Sequence, residues 1–248
     1  MRLHRFYIGE PIGDLPAQAG KKEIVVDSPE LANQIFKVFR LKTGDDVIFF
    51  DGSGTDYQCT ISESKKVDQK LVSFTVKSNT PSRYMPAHEV TLCSSIVKKD
   101  TFEWIVEKAT ELGVSTIVPI IAERSEKKDL NMDRLKKIAV EASEQSGRGN
   151  VPMIHPVITL GECIKLLKEK ESPAIVFHTG DRAEVAPRIN LGETYAGKEL
   201  AIFIGPEGGW SEKEIGLFHT ENFHIYSLGS QVLRAETAVI AALSKVLL

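Results

Sequence analysis

Two glycine-rich stretches near the C-terminus combine residue types that could hold a ligand. Phe203–Trp210 reads Phe-Ile-Gly-Pro-Glu-Gly-Gly-Trp, and Leu228–Thr237 reads Leu-Gly-Ser-Gln-Val-Leu-Arg-Ala-Glu-Thr. Because glycine has no Cβ and tolerates positive φ, the backbone of such loops can approach a ligand closely. A single Gly-Pro segment is usually an ordinary turn. Two such loops with polar side chains at fixed offsets indicate a binding site, and these side chains are Glu207, Ser230, Gln231, Arg234 and Glu236.

The spacing of the glycines differs from the common nucleotide-binding motifs. Neither loop contains Gly-x-x-x-x-Gly-Lys-Ser/Thr or Gly-x-Gly-x-x-Gly, and neither contains a lysine. The pattern therefore favours a ligand that is less anionic than phosphate.

The three cysteines, Cys59, Cys93 and Cys163, lack metal-ligand spacing, so they are predicted to be buried free thiols and no metal site is expected.

Each loop is predicted to connect a buried strand to a helix. The apolar runs Leu200–Ile204 and Phe223–Ser227 precede the two loops, and helical patterns follow them. From Glu89 onwards strands alternate with helices, which predicts an α/β domain with a mostly parallel sheet covered on both faces. In such sheets ligands bind beyond the carboxyl ends of the strands. The two loops are therefore expected to meet at one edge of the sheet.

The first part of the chain has a different pattern, typical of a small β-barrel. Alternating strands flank the turn Asp51–Gly54, and Ser28–Phe39 is predicted as its one helix. The segment Ser78–Ala87 contains two prolines and no periodicity, so it is the predicted boundary. The predicted organisation is a barrel over residues 1–77, a linker over 78–87 and an α/β domain over 88–248.

The charge balance limits how the protein could bind nucleic acid. The 248 residues include 31 basic and 34 acidic side chains, giving a net charge of −3. A nucleic-acid surface must therefore be local. Scattered solvated arginines are common. The helix near 132–145 has an outer row that includes Glu144 and is followed by Arg148. This row is either a solvated face or an RNA-facing edge. The N-terminus lacks a secretory signal pattern and no apolar run is long enough to cross a bilayer, so a cytoplasmic protein without membrane contact is expected.

Several motifs together resemble the bacterial uridine N3-methyltransferases of small-subunit ribosomal RNA, in the SPOUT superfamily. The resemblance spans nearly the whole chain. In Val38–Gly44 this chain has Val-Phe-Arg where the family more often has Val-Leu-Arg, which exchanges one apolar residue for another. The motifs are Gly205–Gly209, Leu228–Thr237, Glu144–Arg148, Lys108–Val114, His4–Phe6 and Val38–Gly44.

This resemblance implies both a fold and an activity. It implies a PUA-like RNA-binding barrel followed by a SPOUT domain with a C-terminal trefoil knot, a feature that periodicity does not predict. It also implies that S-adenosylmethionine binds in the knotted loops and that the substrate is 16S ribosomal RNA or the small ribosomal subunit. The family works as a homodimer whose active sites are completed by the partner chain.

The chemistry of uridine N3-methylation suggests roles for three charged residues of the two loops. Arg234 is the expected catalytic cation, because a guanidinium could stabilise negative charge on a uracil carbonyl. Alternatively, Arg234 anchors a helix N-terminus or pairs with Glu236. Glu236 is given a positioning role, since a carboxylate in the first helical turn is a weak base. Glu207 either steers the positive end of the cofactor or caps its own loop.

The remaining assignments concern the cofactor and the RNA. The expected cofactor-binding residues are His178, Ile204, Gly205, Pro206, Glu207, Gly208, Gly209, Leu228, Gly229, Ser230, Val232 and Leu233. The expected RNA-binding residues are Arg2, Arg5, Arg40, Arg124 and Arg148. Two alternatives stay open at this point, namely a non-catalytic RNA-binding dimerisation protein and a SPOUT methyltransferase that acts on another nucleoside or on a 2′-hydroxyl.

Overall fold

A computed structural model describes residues 3–14, 23–62, 71–86, 88–126, 129–180, 184–185 and 199–248. The chain divides into two compact units. The first unit contains Met1–Met85 together with Ser143–Asn150, and the second contains Pro86–Ala142 and Val151–Leu248. Among the described residues, no helix combines the length and the apolar character that a membrane crossing requires.

The first unit is built on a five-stranded sheet in the order β1-β3-β4-β5-β2. β1 pairs with β3 in parallel, and the other neighbours are antiparallel. The predicted turn Asp51–Gly54 joins β3 to β4, and its glycines Gly52 and Gly54 have φ of +88° and +83°. The strands are β1 Arg5–Tyr7, β2 Glu23–Asp27, β3 Asp46–Phe50, β4 Thr55–Ile61 and β5 Leu71–Pro81.

The core of this unit is formed by alternate strand residues and one helical segment. Helix α1, Pro29–Asn33, begins after Ser28, whose hydroxyl accepts a hydrogen bond from the Leu31 amide, and it continues as a π-helical turn over Gln34–Val38. Phe49 and Phe74 lie fully buried with their ring centroids 4.3 Å apart. The alternation in the sequence therefore identified the buried face correctly.

Strand β5 extends into the segment that the sequence marks as a linker. Thr55–Gln58 pair with Ser78–Pro81, so the first four residues of the predicted linker lie in the sheet. The proline is tolerated because it occupies the last position of the strand. Polar composition had indicated a loop, but the pairing partner on β4 makes this stretch a strand.

The segment Ser143–Asn150, which begins with the last four residues of the helix Met132–Ser146, belongs to the first unit by its contacts. The Glu144 carboxylate accepts hydrogen bonds from the Tyr7 amide at 2.9 Å and from Gln34 Nε2 at 2.8 Å. The Gly149 amide donates to the Tyr84 carbonyl at 3.2 Å. Glu144 is only 7% exposed, so neither of the two alternatives left open by the sequence, a solvated face or an RNA-facing edge, describes this residue.

Replacing Glu144 with alanine is expected to destabilise the protein by about 1–3 kcal/mol, because the Tyr7 amide would lose its acceptor in a largely buried position. Glu141→Ala is the matched control, since Glu141 is an exposed carboxylate of the same helix. Chemical denaturation of the two variants measures the difference. Equal free energies of unfolding would show that the Glu144 contacts contribute nothing.

The second unit contains a parallel sheet in the order β11-β13-β10-β12-β6-β7-β8, with β9 also paired to β7. This confirms the predicted α/β architecture. Its strands are β6 Val90–Ser95, β7 Thr116–Ile121, β8 Met153–Ile154, β9 Ile158–Thr159, β10 Ala174–Phe177, β11 Glu184–Val185, β12 Leu200–Ile204 and β13 His224–Ser227. Its helices are α2 Lys99–Leu112, α3 Met132–Ser146, α4 Leu160–Glu169, α5 Glu212–Thr220 and α6 Ala235–Leu247.

Strand β12 shows how the sheet is buried on both faces. Leu200, Ile202 and Ile204 lie in a core with α2, α3 and α6, whereas Ala201 and Phe203 lie in a second core with α4 and α5. Successive side chains of a strand point to opposite faces, so an uninterrupted apolar run fits a strand covered on both sides.

The predicted trefoil knot involves the C-terminal strands and helix, and the chain between two of these strands, β11 and β12, is only partly described. Residues 186–198 of that connection lie outside the described residues. The knot therefore stays a prediction from the resemblance.

The cysteines are buried, as the sequence predicted, and burial raises the pKa of Cys59 to about 12.

Candidate functional site

The carboxyl ends of β10, β12 and β13 lead to a cavity of about 420 Å³ in the second unit. Both glycine-rich loops line this cavity, together with the residues that follow β10. The two loops meet because β12 and β13 both flank β10 in the parallel sheet. A volume of this size lies within the range of small-molecule sites, roughly 300–1,000 Å³.

Most of the site residues expected from the sequence lie in the cavity wall. These are His178, Ile204, Gly205, Pro206, Glu207, Gly208, Gly209, Leu228, Val232, Leu233 and Arg234. Gly229, Ser230 and Glu236 belong to the second loop and its helix but are not part of the lining. The lining includes Gln231, one of the polar side chains singled out in the sequence, and residues that were not expected there, namely Arg124, Phe177, Thr179, Trp210, Ser227, Ala235 and Ala238.

The first loop folds as a tight turn over Pro206–Gly209. The Gly209 amide donates to the Pro206 carbonyl at 2.8 Å, and Gly209 has φ of +66°. A Cβ built on Gly205 would lie 3.2 Å from the ring of Trp210, which is closer than nine in ten real Cβ contacts. Glycine at these two positions therefore serves the conformation and the close packing of the loop.

Trp210 forms the support beneath this turn. Its indole is 3% exposed, and its Nε1 donates to the Phe177 carbonyl at 3.1 Å. The ring packs edge-to-face on Phe218 with centroids 5.0 Å apart. The first loop is thus fastened to the end of β10. The sequence shows Trp210 at the end of the first glycine-rich stretch, but the residues of that stretch do not predict its hydrogen bond to Phe177.

The start of α5 connects the same loop to the turn that follows β7. Ser211 and Glu214 form a capping box at the helix N-terminus. The Glu214 carboxylate also accepts from the Glu123 amide at 2.8 Å, and the Ser211 hydroxyl donates to Glu123 Oε2 at 2.8 Å. Beside Glu123, Arg124 Nη1 donates to the Gly208 carbonyl at 2.8 Å.

The second loop places Arg234 at the N-terminus of α6. Gly229 has φ of +145°, and Ser227 Oγ donates to the Gly229 carbonyl at 2.8 Å. Arg234 is the N-cap residue of α6, but its side chain makes no capping hydrogen bond. Among the described residues its exposed guanidinium forms no ion pair, so the alternative of pairing with Glu236 finds no support. The cation therefore stands at the cavity with its donors available.

His178 lies in the cavity directly after β10. Its amide donates to the Tyr226 carbonyl at 2.9 Å, and a Cβ on Gly180 would come within 2.5 Å of its Nε2. Glycine at position 180 is therefore required for this placement of the ring. Partial burial lowers the pKa of His178, so the imidazole is neutral at neutral pH.

Two of the arginines expected to bind RNA are held within the first unit, which argues against that role: the Arg5 side chain is 7% exposed and Arg148 is buried. Arg5 forms an ion pair with Asp56, and its guanidinium lies 4.9 Å from the centroid of the Phe50 ring. Arg148 is 3% exposed, and burial lowers its pKa to about 10. Guanidinium groups in these positions cannot reach a phosphate without rearrangement. Arg40 is exposed, and Arg2 lies outside the described residues.

Comparison with known proteins gives the family. Residues 84–247 match the model of an RNA methyltransferase domain, and residues 30–68 match that of an RNA methyltransferase PUA domain. The chain belongs to this family of RNA methyltransferases. The match confirms the resemblance noted in the sequence, with a PUA-type domain followed by an α/β methyltransferase domain.

Individual relatives agree with this assignment. The ribosomal RNA small subunit methyltransferase E of Aquifex aeolicus is 31% identical, and the alignment covers 98% of each chain. The structure of the Neisseria gonorrhoeae methyltransferase E bound to S-adenosyl methionine has a TM-score of 0.81 and 25% identity, covering 98% of this chain and 96% of that one. A putative Legionella pneumophila methyltransferase in complex with the same cofactor has a TM-score of 0.81 and 29% identity, with the same coverage.

Proposed function

We propose that this protein transfers a methyl group from S-adenosylmethionine to N3 of a uridine in 16S ribosomal RNA. The observation that carries the proposal is the cavity between the two glycine-rich loops, with the guanidinium of Arg234 beside it. Membership of the methyltransferase family supports the reaction class, and the relatives named for the small ribosomal subunit support the RNA class.

The residues of the cavity fit the chemistry of the cofactor. S-adenosylmethionine carries a neutral adenosine and no phosphate, and the described part of the lining contains no lysine. Backbone groups of the Pro206–Gly209 turn can pair with the adenine edge on the side of Gly209, where a built Cβ would have no neighbour within 4 Å. Glu207 supplies a carboxylate in the lining for the positive end of the molecule. When bound, the cofactor supplies an electrophilic methyl group on a sulfonium sulfur.

Arg234 provides the charge stabilisation that methylation of N3 requires. Loss of the imide proton places negative charge on the uracil carbonyls, and the planar guanidinium can donate hydrogen bonds to one of them. The N-terminus of α6, directly after Arg234, adds the positive end of a helix dipole. Glu236 lies in the first turn of α6 and outside the cavity lining, so we assign it a role in positioning this end of the helix.

The neutral state of His178 leads to a prediction about pH. Because its pKa is lowered, His178 gains a proton only below its ordinary range near 6.5, and the resulting cation would repel the sulfonium. We expect the affinity for S-adenosylmethionine to be constant at neutral pH and to fall as the pH drops below about 6.5. Calorimetric titrations between pH 5 and 8 measure this, roughly spanning the range in which histidine titrates.

His178→Gln is the control for this prediction, because glutamine keeps a polar side chain that does not titrate. Its cofactor affinity should vary less with pH than that of the wild type. The other charged groups in the lining are Glu207, Arg124 and Arg234, and all three remain in the variant. Parallel pH profiles for the two proteins would contradict the role of His178.

The RNA and partner assignments are also part of this proposal. Exposed Arg40 is the remaining described arginine of the first unit among those expected to contact RNA phosphates. We also propose that the protein is a cytoplasmic homodimer whose second copy completes the site. Val232 supports a covering surface, since this apolar side chain of the lining is 83% exposed in the single chain.

Deletion of the gene tests the proposed function in the cell. Nucleosides from the 16S ribosomal RNA of the deletion strain should lack 3-methyluridine by mass spectrometry, and a plasmid copy of the gene should restore it. A non-catalytic RNA-binding protein predicts no change in the modified nucleosides. Loss of a different methylated nucleoside would favour a methyltransferase with another target.

A further inference from the structure

In the turn that follows β7, the side chain of Arg124 contacts the backbone of the first glycine-rich loop. We propose that Arg124 is a positioning residue, which keeps the Pro206–Gly209 turn in the conformation that binds S-adenosylmethionine, and that it is not an RNA contact. This inference rests on the proposed function of the cavity. It replaces the role in RNA binding that the sequence suggested for Arg124.

The contacts of the guanidinium are made with the loop backbone. Arg124 Nη1 donates to the Gly208 carbonyl at 2.8 Å and lies 3.5 Å from the Trp210 carbonyl. The stem of the side chain also lies against the loop, since a Cβ built on Gly208 would be 3.2 Å from Arg124 Cβ and 3.4 Å from its Cδ. Hydrogen bonds from a charged donor are stronger than those between neutral groups.

The backbone of Arg124 is itself fixed. The Ser125 hydroxyl accepts from the Ala122 amide at 3.1 Å, and the Ser125 amide donates to the Ala122 carbonyl at the same distance. The Glu123 amide is held by the carboxylate of Glu214 at 2.8 Å. Arg124 therefore extends from a turn that is held by hydrogen bonds, so its own hydrogen bond can restrain the loop.

The loop needs such a restraint because of its composition. Gly208 and Gly209 have the largest conformational freedom of any residue type, and ordering them when a ligand binds costs free energy. A loop that is already ordered avoids this cost and binds more tightly. Fixing the Gly208 carbonyl toward Arg124 also sets the orientation of the peptide group between Gly208 and Gly209.

The test compares cofactor binding by purified full-length variants in calorimetric titrations with S-adenosylmethionine. We expect Arg124→Ala to weaken the affinity by about ten- to a hundred-fold, as the loss of charged hydrogen bonds would. Arg124→Lys should recover part of it, because an ammonium can still reach one carbonyl. Arg124→Met keeps the stem without donors and should match Arg124→Ala. Arg134→Ala, which removes an exposed arginine of α3, should bind like the wild type.

Kinetics and RNA binding separate this role from the alternatives. We expect a raised KM for S-adenosylmethionine with a nearly unchanged kcat at saturation, and an unchanged affinity for RNA across a salt series. Normal cofactor affinity in Arg124→Ala and Arg124→Met would overturn the proposal. So would weaker RNA binding with normal cofactor affinity, which would restore Arg124 as an RNA contact. A wild-type protein that fails to bind the cofactor would instead contradict the proposed function itself.

Discussion

Arg234→Ala should lower the rate of methyl transfer by about 10²–10³-fold, the usual effect of removing one group that stabilises a developing negative charge. The cofactor affinity should change little. The reason is that the guanidinium is exposed at the N-terminus of α6 and lies beside the cavity rather than beneath the loops. Single-turnover experiments with saturating S-adenosylmethionine measure the rate of methyl transfer, and calorimetry measures the cofactor affinity.

Two further variants make this result specific. Arg234→Lys keeps the charge but loses the planar pair of donors, so its rate should lie between those of the wild type and Arg234→Ala. Glu236→Gln tests the neighbouring carboxylate and should reduce the rate by less than Arg234→Ala, since Glu236 is outside the cavity lining. A normal rate in Arg234→Ala would remove this residue from the mechanism.

Trp210→Ala should have the largest effect on stability, about 3–5 kcal/mol, which is typical when a buried aromatic side chain is deleted. Trp210 is 3% exposed and packs against Phe203 and Phe218 beneath the first loop. Its loss would also free the Phe177 carbonyl at the end of β10. We therefore expect a much lower Tm together with weaker binding of S-adenosylmethionine.

The other tryptophan of the second unit provides the control. Trp104 on α2 is 39% exposed, so Trp104→Ala should change the stability much less. Trp210→Phe preserves most of the apolar volume and removes the indole donor. The lost hydrogen bond should lower the stability by about 1 kcal/mol in addition to the effect of the smaller ring. If Trp210→Ala and Trp104→Ala had equal stabilities, the first loop would not depend on the indole for support.

The sequence predicted the α/β sheet and the meeting of the two loops because both depend on local patterns. The run Leu200–Ile204 is apolar at every position, as a strand buried on both faces requires. The loops follow strands that neighbour β10 in a parallel sheet, so their convergence follows from the direction of the strands.

The roles of several charged residues could not be predicted, because distant contacts determine them. Glu144 and Arg148 follow a pattern typical of a solvated helix face, yet both are buried. The acceptor for the Tyr7 amide is Glu144, 137 residues away in the chain. Arg124 similarly donates to a carbonyl 84 residues away. Charge alone suggested RNA for these arginines, and only the packing distinguishes a structural guanidinium from an exposed one.

The most direct test of the central claim is methyl transfer by the purified protein. Small ribosomal subunits from the deletion strain are incubated with isotopically labelled S-adenosylmethionine, and the nucleosides of the 16S RNA are separated by mass spectrometry. We predict that the label appears in 3-methyluridine with the wild-type protein and is almost absent with Arg234→Ala. Label in another nucleoside, or none with the wild-type protein on either free RNA or subunits, would contradict the proposal.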